Sequence, residues 1–246
     1  MSAGDSSLGD QAISKAVEMG LSTQLDQVEK LEVDVRTNPG SLMQGEVDSV
    51  EIEGEGMVMK GELRTEKLIV QTDGVAVNPL KAAFGQIELT RPTNASALML
   101  LTEEDIDRAF NSDFIKSKLQ NLDIKVEGKP VKVNTQKVEF RLPGEGKVAI
   151  SADVTRADTG ETEHICFTAV PKMAPSGQQV ILEDVQPAGN DEPSELTHCL
   201  VKSASDLLDL NNFELSGMEL CLNRIDIRQG EMELKADAKV EKFPGG

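Results

Sequence analysis

Tryptophan and tyrosine are absent, and phenylalanine occurs only seven times in 246 residues. Stacking platforms for bases, sugars and ring cofactors are therefore scarce. Positive charge is also in short supply: 25 Lys and Arg stand against 43 Asp and Glu, a formal net charge of −18. A chain this acidic repels phosphate backbones, which excludes a nucleic-acid partner. With no basic cluster it is not drawn strongly to an anionic membrane surface either. Long apolar runs are missing. The longest, Ala95 to Leu101, is broken by Ser96 and has strand length, far short of the roughly 20 residues a membrane span needs.

Cysteine and histidine are equally sparse. Cys166, Cys199 and Cys221 are odd in number and form no CxxC, which argues against a disulfide framework and fits a reducing compartment. The opening residues Met1 to Ser7 carry neither a basic nor an apolar targeting stretch. The expectation is a cytoplasmic protein that touches a membrane, if at all, from its surface. GxSxG, GxxxxGK[ST], HExxH and a helix-opening GxGxxG are all missing. The pairs His164/Cys166 and His198/Cys199 could in principle supply four zinc ligands. Adjacent helical residues diverge by about 100°, however, and His198 falls on the polar side of its stripe. No metal, no cofactor and no catalytic residue is expected, and hence no enzyme.

What is present is aliphatic periodicity. Three segments carry helical spacing. The first follows Ser7 and stripes Ala12, Ile13, Ala16, Val17 and Leu21; the second opens at Thr102 with an acidic residue at the third helical position. Its pattern breaks at Asn111-Ser112-Asp113 and resumes through Phe114, Ile115 and Leu119. The third begins near Pro193 and stripes Leu196, Leu200, Val201, Ala204, Leu207 and Leu208. Almost everywhere else the period is two, as in Leu31-Val33-Val35, Val148-Ile150-Ala152-Val154 and Met232-Leu234-Ala236-Ala238-Val240, with turn signals such as Asp158-Thr159-Gly160 between runs. Strands in long runs predict an α+β fold: a long, strongly curved antiparallel sheet wrapped around amphipathic helices. The expected organisation is one domain over 1–246, with 1–9 as a flexible N-terminus.

Two further features bear on function. Asn38-Pro39 to Gly45 and Asn78-Pro79 to Gly85 both read as a strand end, an Asn N-cap with Pro at N1, a short helical turn and a closing Gly. The apolar residues in these turns, Leu42 and Met43 in one and Leu80 and Phe84 in the other, either cover the ends of a core or form tips at a pocket mouth or membrane. Glu51, Glu53 and Glu55 share the face of a strand opposite Val50 and Ile52, the pattern of a solvated sheet face. Gly54 and Gly56 in the same strand read as points of close backbone approach or kinking. The apolar faces either fill a plain core or leave an elongated groove for an acyl chain, and Met43, Met57, Met59, Met99 and Met218 add adaptable surface.

Several stretches resemble the LmeA-like phospholipid-binding family, particularly its members from photosynthetic bacteria. They include Leu31–Thr37, Leu42–Gly56, Leu63–Leu68, Thr72-Asp73, Asn78-Pro79, Leu101–Asn111 and the closing helix at Leu207-Leu208 with its final hairpin. The similarity runs from about residue 10 to residue 243. It implies kinship with the tubular lipid-binding superfamily, in which a long curved sheet encloses an elongated apolar cavity, and a phospholipid or other acyl lipid as partner. Exported relatives carry a signal or anchor that this sequence does not show, and the mycobacterial members are associated with envelope lipoglycan assembly. The family offers no catalytic motif to carry over, so the lipid contacts come from face and spacing. They are Val50, Ile52, Val58, Leu68 and Val70 on strands, Ile106, Phe110 and Phe114 on the second helix, and Leu200, Ala204 and Leu207 on the third. The expected function is non-enzymatic lipid binding or carriage with transient membrane contact. The alternative is an assembly protein with a filled core that docks a basic protein partner, of unknown identity, through its acidic surface.

Overall fold

The computed structural model of the chain describes residues 8–59, 62–78, 88–126, 129–187, 196–201 and 217–242. Helix α1 (Leu8–Ser22) leads into β1 (Lys30–Arg36), a corner helix α2 (Pro39–Met43), and strands β2 (Glu46–Val47), β3 (Ser49–Met59), β4 (Leu63–Thr72) and β5 (Val75–Ala76). Then come β6 (Thr93–Thr102), α3 (Glu103–Phe110), α4 (Asp113–Lys118), β7 (Leu122–Val126), β8 (Lys129–Gly144) and β9 (Lys147–Arg156). Strands β10 (Thr162–Met173), β11 (Val180–Pro187), β12 (Met218–Arg228) and β13 (Glu231–Val240) follow, and residues 196–201 are helical. The protein is sheet-rich and antiparallel, with a strongly curled half-barrel sheet.

One large sheet is expected from the sequence; the strands divide instead into a six-stranded sheet, β1-β3-β4-β6-β13-β12, and a five-stranded sheet, β11-β10-β9-β8-β7, beside a small β2-β5 ladder. The division has a local cause. Strand β7 pairs only with the first part of β8, from Lys129 to Val133. Beyond that point β8 would expose an open edge, and α3 covers it with side chains. Glu103 accepts from the Leu142 amide at 2.6 Å, Asp107 accepts from the Phe140 amide at 2.8 Å, and Asn111 donates to the Val138 carbonyl at 2.7 Å. The pitches match: four helical residues rise about 6 Å and two strand residues about 6.6 Å. Three helical side chains thus stand in for a neighbouring strand. The outer edge of β12 is engaged in a comparable way, by the Gly177 carbonyl on the Leu222 amide at 2.7 Å.

The start of α3 is fixed to the first sheet as well. Thr102 caps the helix and Asp105 completes the capping box. Asp105, only 2% exposed, also receives both oxygens' worth of contact from Arg64 of β4 at 3.1 Å. Arg64 meets Glu66 and Glu29 besides, and these three carboxylates push its pKa up. Helix α3 therefore brackets the two sheets together.

The second sheet owns the packed core. Val133 and Val154 are fully buried, and Leu142, Ile124 and Val148 nearly so. Phe110 and Phe140 stack with ring centres 5.5 Å apart, and Leu196, Leu200 and Val201 close the cluster. In the first sheet, Gly56 adopts φ +58° and Gly54 leaves room for the Met57 side chain, which any Cβ there would strike. Both glycines serve close approach, as their place inside a strand predicts.

Candidate functional site

The register of the six-stranded sheet lines its side chains into rows. Val33, Ile52, Val70, Ala97, Ala236 and Leu222 are successive cross-strand neighbours, and Leu31, Gly54, Leu68, Met99, Leu234 and Ile225 form the next row on the same face. The result is an aliphatic face six strands wide, without a single aromatic ring in these rows. Alternation puts the opposite residues, Asp34, Glu51, Gln71, Ser96, Asp237 and Cys221, into a polar row on the other face.

Burial across the aliphatic face is uneven. On β1 Val35 is 1% exposed and Val33 9%, where α1 packs and the Ser14 hydroxyl accepts from the Val35 amide at 3.0 Å. Leu222 on the far edge and Ala236 on β13 are also buried, whereas Leu31 and Ile225 at the edges are half-buried. Ile52, Val70, Ala97, Leu68, Met99 and Leu234, between those edges, are only half-buried. An acyl chain laid on such a strip would bury methylenes at about 0.8 kcal/mol each.

The other face carries a groove of about 800 Å³, walled by residues of that polar row and closed at one end by Ser176 and Gln178. Asp34, Glu51, Asp73, Glu219 and Asp237 confront only Arg36 and Lys239 there, and Arg36 is already paired with Asp34 at 2.9 Å. Carboxylates in this number make the groove unsuited to an acyl chain. A smaller hollow of about 140 Å³ lies beside Phe110, Leu119 and Val138. Elsewhere on the polar face the charges are paired off: Lys67 holds the Glu53 carboxyl below its usual range, and Glu32 pushes the Lys30 amine up.

The expected lining residues separate into two groups. Val50, Ile52, Leu68 and Val70 share the aliphatic face, with Ile52 directly opposite Val70. Val58 is buried farther along β3. Ile106, Phe110 and Leu200 belong to the core of the second sheet, and Phe114 is half-buried on α4. Ala204 and Leu207 lie outside the described residues. Sequence reasoning left Ala97, Met99 and Leu234 out of the strip: the first two sit in the apolar run Ala95–Leu101 and the third in an alternating run, and only the register reveals that β6 adjoins β4 and β13 adjoins β6.

The first Asn-Pro corner is built as its sequence predicts. Asn38 accepts from the Ser41 amide at 2.9 Å, with Pro39 in the first turn. Met43 is 86% exposed and Leu42 38%. The Val77 amide donates to the Gly45 carbonyl at 2.8 Å, so the stem of the second corner adjoins the end of the first. Leu80 and Phe84 of that second corner lie outside the described residues.

The protein is sheet-rich with a wide, half-open aliphatic face, and no described helix is long and apolar enough to cross a membrane. The family follows from comparison: the chain belongs to the LmeA-like phospholipid-binding family, whose model matches residues 4–237. That family is described by phospholipid binding and not by a reaction. No curated protein and no solved structure matches the chain.

Proposed function

We propose that the protein binds or carries a phospholipid or another acyl lipid without transforming it, over a single domain spanning 1–246 in a tubular lipid-binding-like arrangement. The partial exposure of the aliphatic face carries this reading. Half-buried Ile52, Leu68 and Val70 lose solvent only when something apolar lies on them, and a family of phospholipid binders supplies the class of that ligand. Val50 continues the strip toward the end of the sheet where α2 sits. Met43 and Leu42 then serve as the contact that dips into a bilayer while lipid passes, and the acidic exterior keeps that contact transient and peripheral.

The test is native mass spectrometry of the protein purified without detergent, followed by organic extraction. A stoichiometric lipid mass that disappears in the double variant Ile52→Ser/Val70→Ser supports the reading. A protein that stays empty after incubation with phosphatidylcholine and phosphatidylglycerol vesicles overturns it. The carboxylate-rich groove favours a second reading, an assembly protein that docks a basic partner. Charge reversal at Asp237 and Glu51 separates the two, since it abolishes docking and leaves lipid content unchanged.

A further inference from the structure

The outer face of the five-stranded sheet, opposite the packed core, carries three side chains in a nucleophile–base–acid chain. His164 of β10 is the cross-strand partner of Asp153 on β9, and its Nδ1 lies 2.9 Å from Asp153 Oδ1. On its other side Nε2 lies 3.2 Å from the Ser151 hydroxyl. Hydrogen-bond accounting gives the direction for an ionised carboxylate and a neutral ring. Such a carboxylate can only accept, so Nδ1 carries the proton. Nε2 of that ring is then bare and accepts, and the Ser151 hydroxyl donates to it. That is the order of roles that makes a serine nucleophilic.

We propose that Ser151 is a covalent acyl-acceptor site, activated by His164 and positioned through Asp153, that takes an acyl group from a thioester or another activated ester. Ser151 Oγ attacks the carbonyl carbon as its proton passes to His164 Nε2. The new O–C bond forms, the bond to the leaving sulfur or oxygen breaks, and the proton moves from Nε2 to that leaving group. Access is open, since the His164 side chain is 64% exposed. Strand β9 is paired on both sides, with β8 and β10, and the β8 ladder carries an irregularity between Gln136 and Glu139, opposite Asp153 and Ser151. The geometry thus supplies general-base activation, and with no built oxyanion hole the donor is restricted to esters with good leaving groups and the outcome to a stable acyl-serine. The charged and titratable groups beside the chain are Glu139, across from Ser151 on β8, and Cys166, across from it on β10; Gln136 lies across from Asp153.

The experiment uses p-nitrophenyl acetate on the full chain carrying Cys166→Ser, so that the exposed thiol cannot compete. Intact-mass and peptide mapping should show one acetyl group, on Ser151. Ser151→Ala should lose it, and His164→Gln should slow it by about 100-fold or more. Asp153→Asn should slow it too and change the pH profile, because Nδ1 is no longer held as the protonated nitrogen. A circular-dichroism spectrum unchanged in all three variants keeps the comparison clean, and these outer-face positions leave the core intact. Acetylation confined to lysines, or labelling of Ser151 at an unchanged rate in His164→Gln, would overturn the proposal.

Discussion

The two sheets use the same alternating pattern to opposite ends. In the five-stranded sheet one face of β8, β9 and β10 is largely sealed: Val133 and Val154 are fully buried, helical residues, among them Leu196 and Leu200, belong to the same cluster, and Ile150 and the residues of β11 stay partly exposed. In the six-stranded sheet the aliphatic face is buried at Val33, Val35, Ala236 and Leu222 and half-open at Ile52, Leu68, Val70, Ala97, Met99 and Leu234. Composition separates them only in part: both are rich in Val, Ile, Leu and Ala, and the five-stranded core adds the rings of Phe140 and Phe167. Burial separates them further. A sealed face contributes stability, whereas a half-open one forgoes part of that stability and keeps the capacity to bind.

The contrast is sharpest in its energetic consequences. Leu142→Ala, in the sealed core, should destabilise by about 2–5 kcal/mol in urea unfolding. Arg64→Ala should follow at about 3 kcal/mol, because it strands the buried Asp105 carboxylate and loosens α3 from β4; Asp105→Asn in the same background should recover part of the loss. Ile52→Ser/Val70→Ser should cost less stability than Leu142→Ala and yet lower retained lipid at least about tenfold by native mass spectrometry. An equal loss of stability in the two sheets would break the comparison. Met43→Ser with Leu42→Ser should leave the unfolding midpoint unchanged and weaken vesicle co-sedimentation by about tenfold. The smallest effect lies on the charged face. Pairing with Lys67 lowers the Glu53 pKa from its usual 4.5, so its stabilisation is present above that value and fades as pH falls through the lowered one. Lys67→Met should return the Glu53 titration, followed by NMR, toward 4.5.

Much of the local architecture was legible because it depends on neighbours in sequence. The capping box at Thr102, the break at Asn111-Ser112-Asp113 and the Asn38-Pro39 corner all satisfy backbone groups within a few residues, and each is present as read. Strand β11 was overlooked, since Val180–Pro187 carries Glu183, Asp184 and Gln186 at an edge where polar residues face water. The spacing of Glu103, Asp107 and Asn111 went unread, and its role emerges only against the open edge of β8. The Ser151–His164–Asp153 chain was equally hidden: Ser151 and Asp153 look like ordinary solvent-facing positions until register sets His164 between them.

Taken alone, then, the sequence determined what short range can determine: acidic, aromatic-poor composition, the periods of its helices and strands, its caps and corners, and a likeness to a phospholipid-binding family. Tertiary structure decided how the strands divide into two sheets, which aliphatic face is sealed and which stays half-open, and which polar residues meet across strands. The reason is that burial and register depend on pairing between residues far apart in the chain. Alternation tells only that a strand has an apolar side, and not what will lie against it.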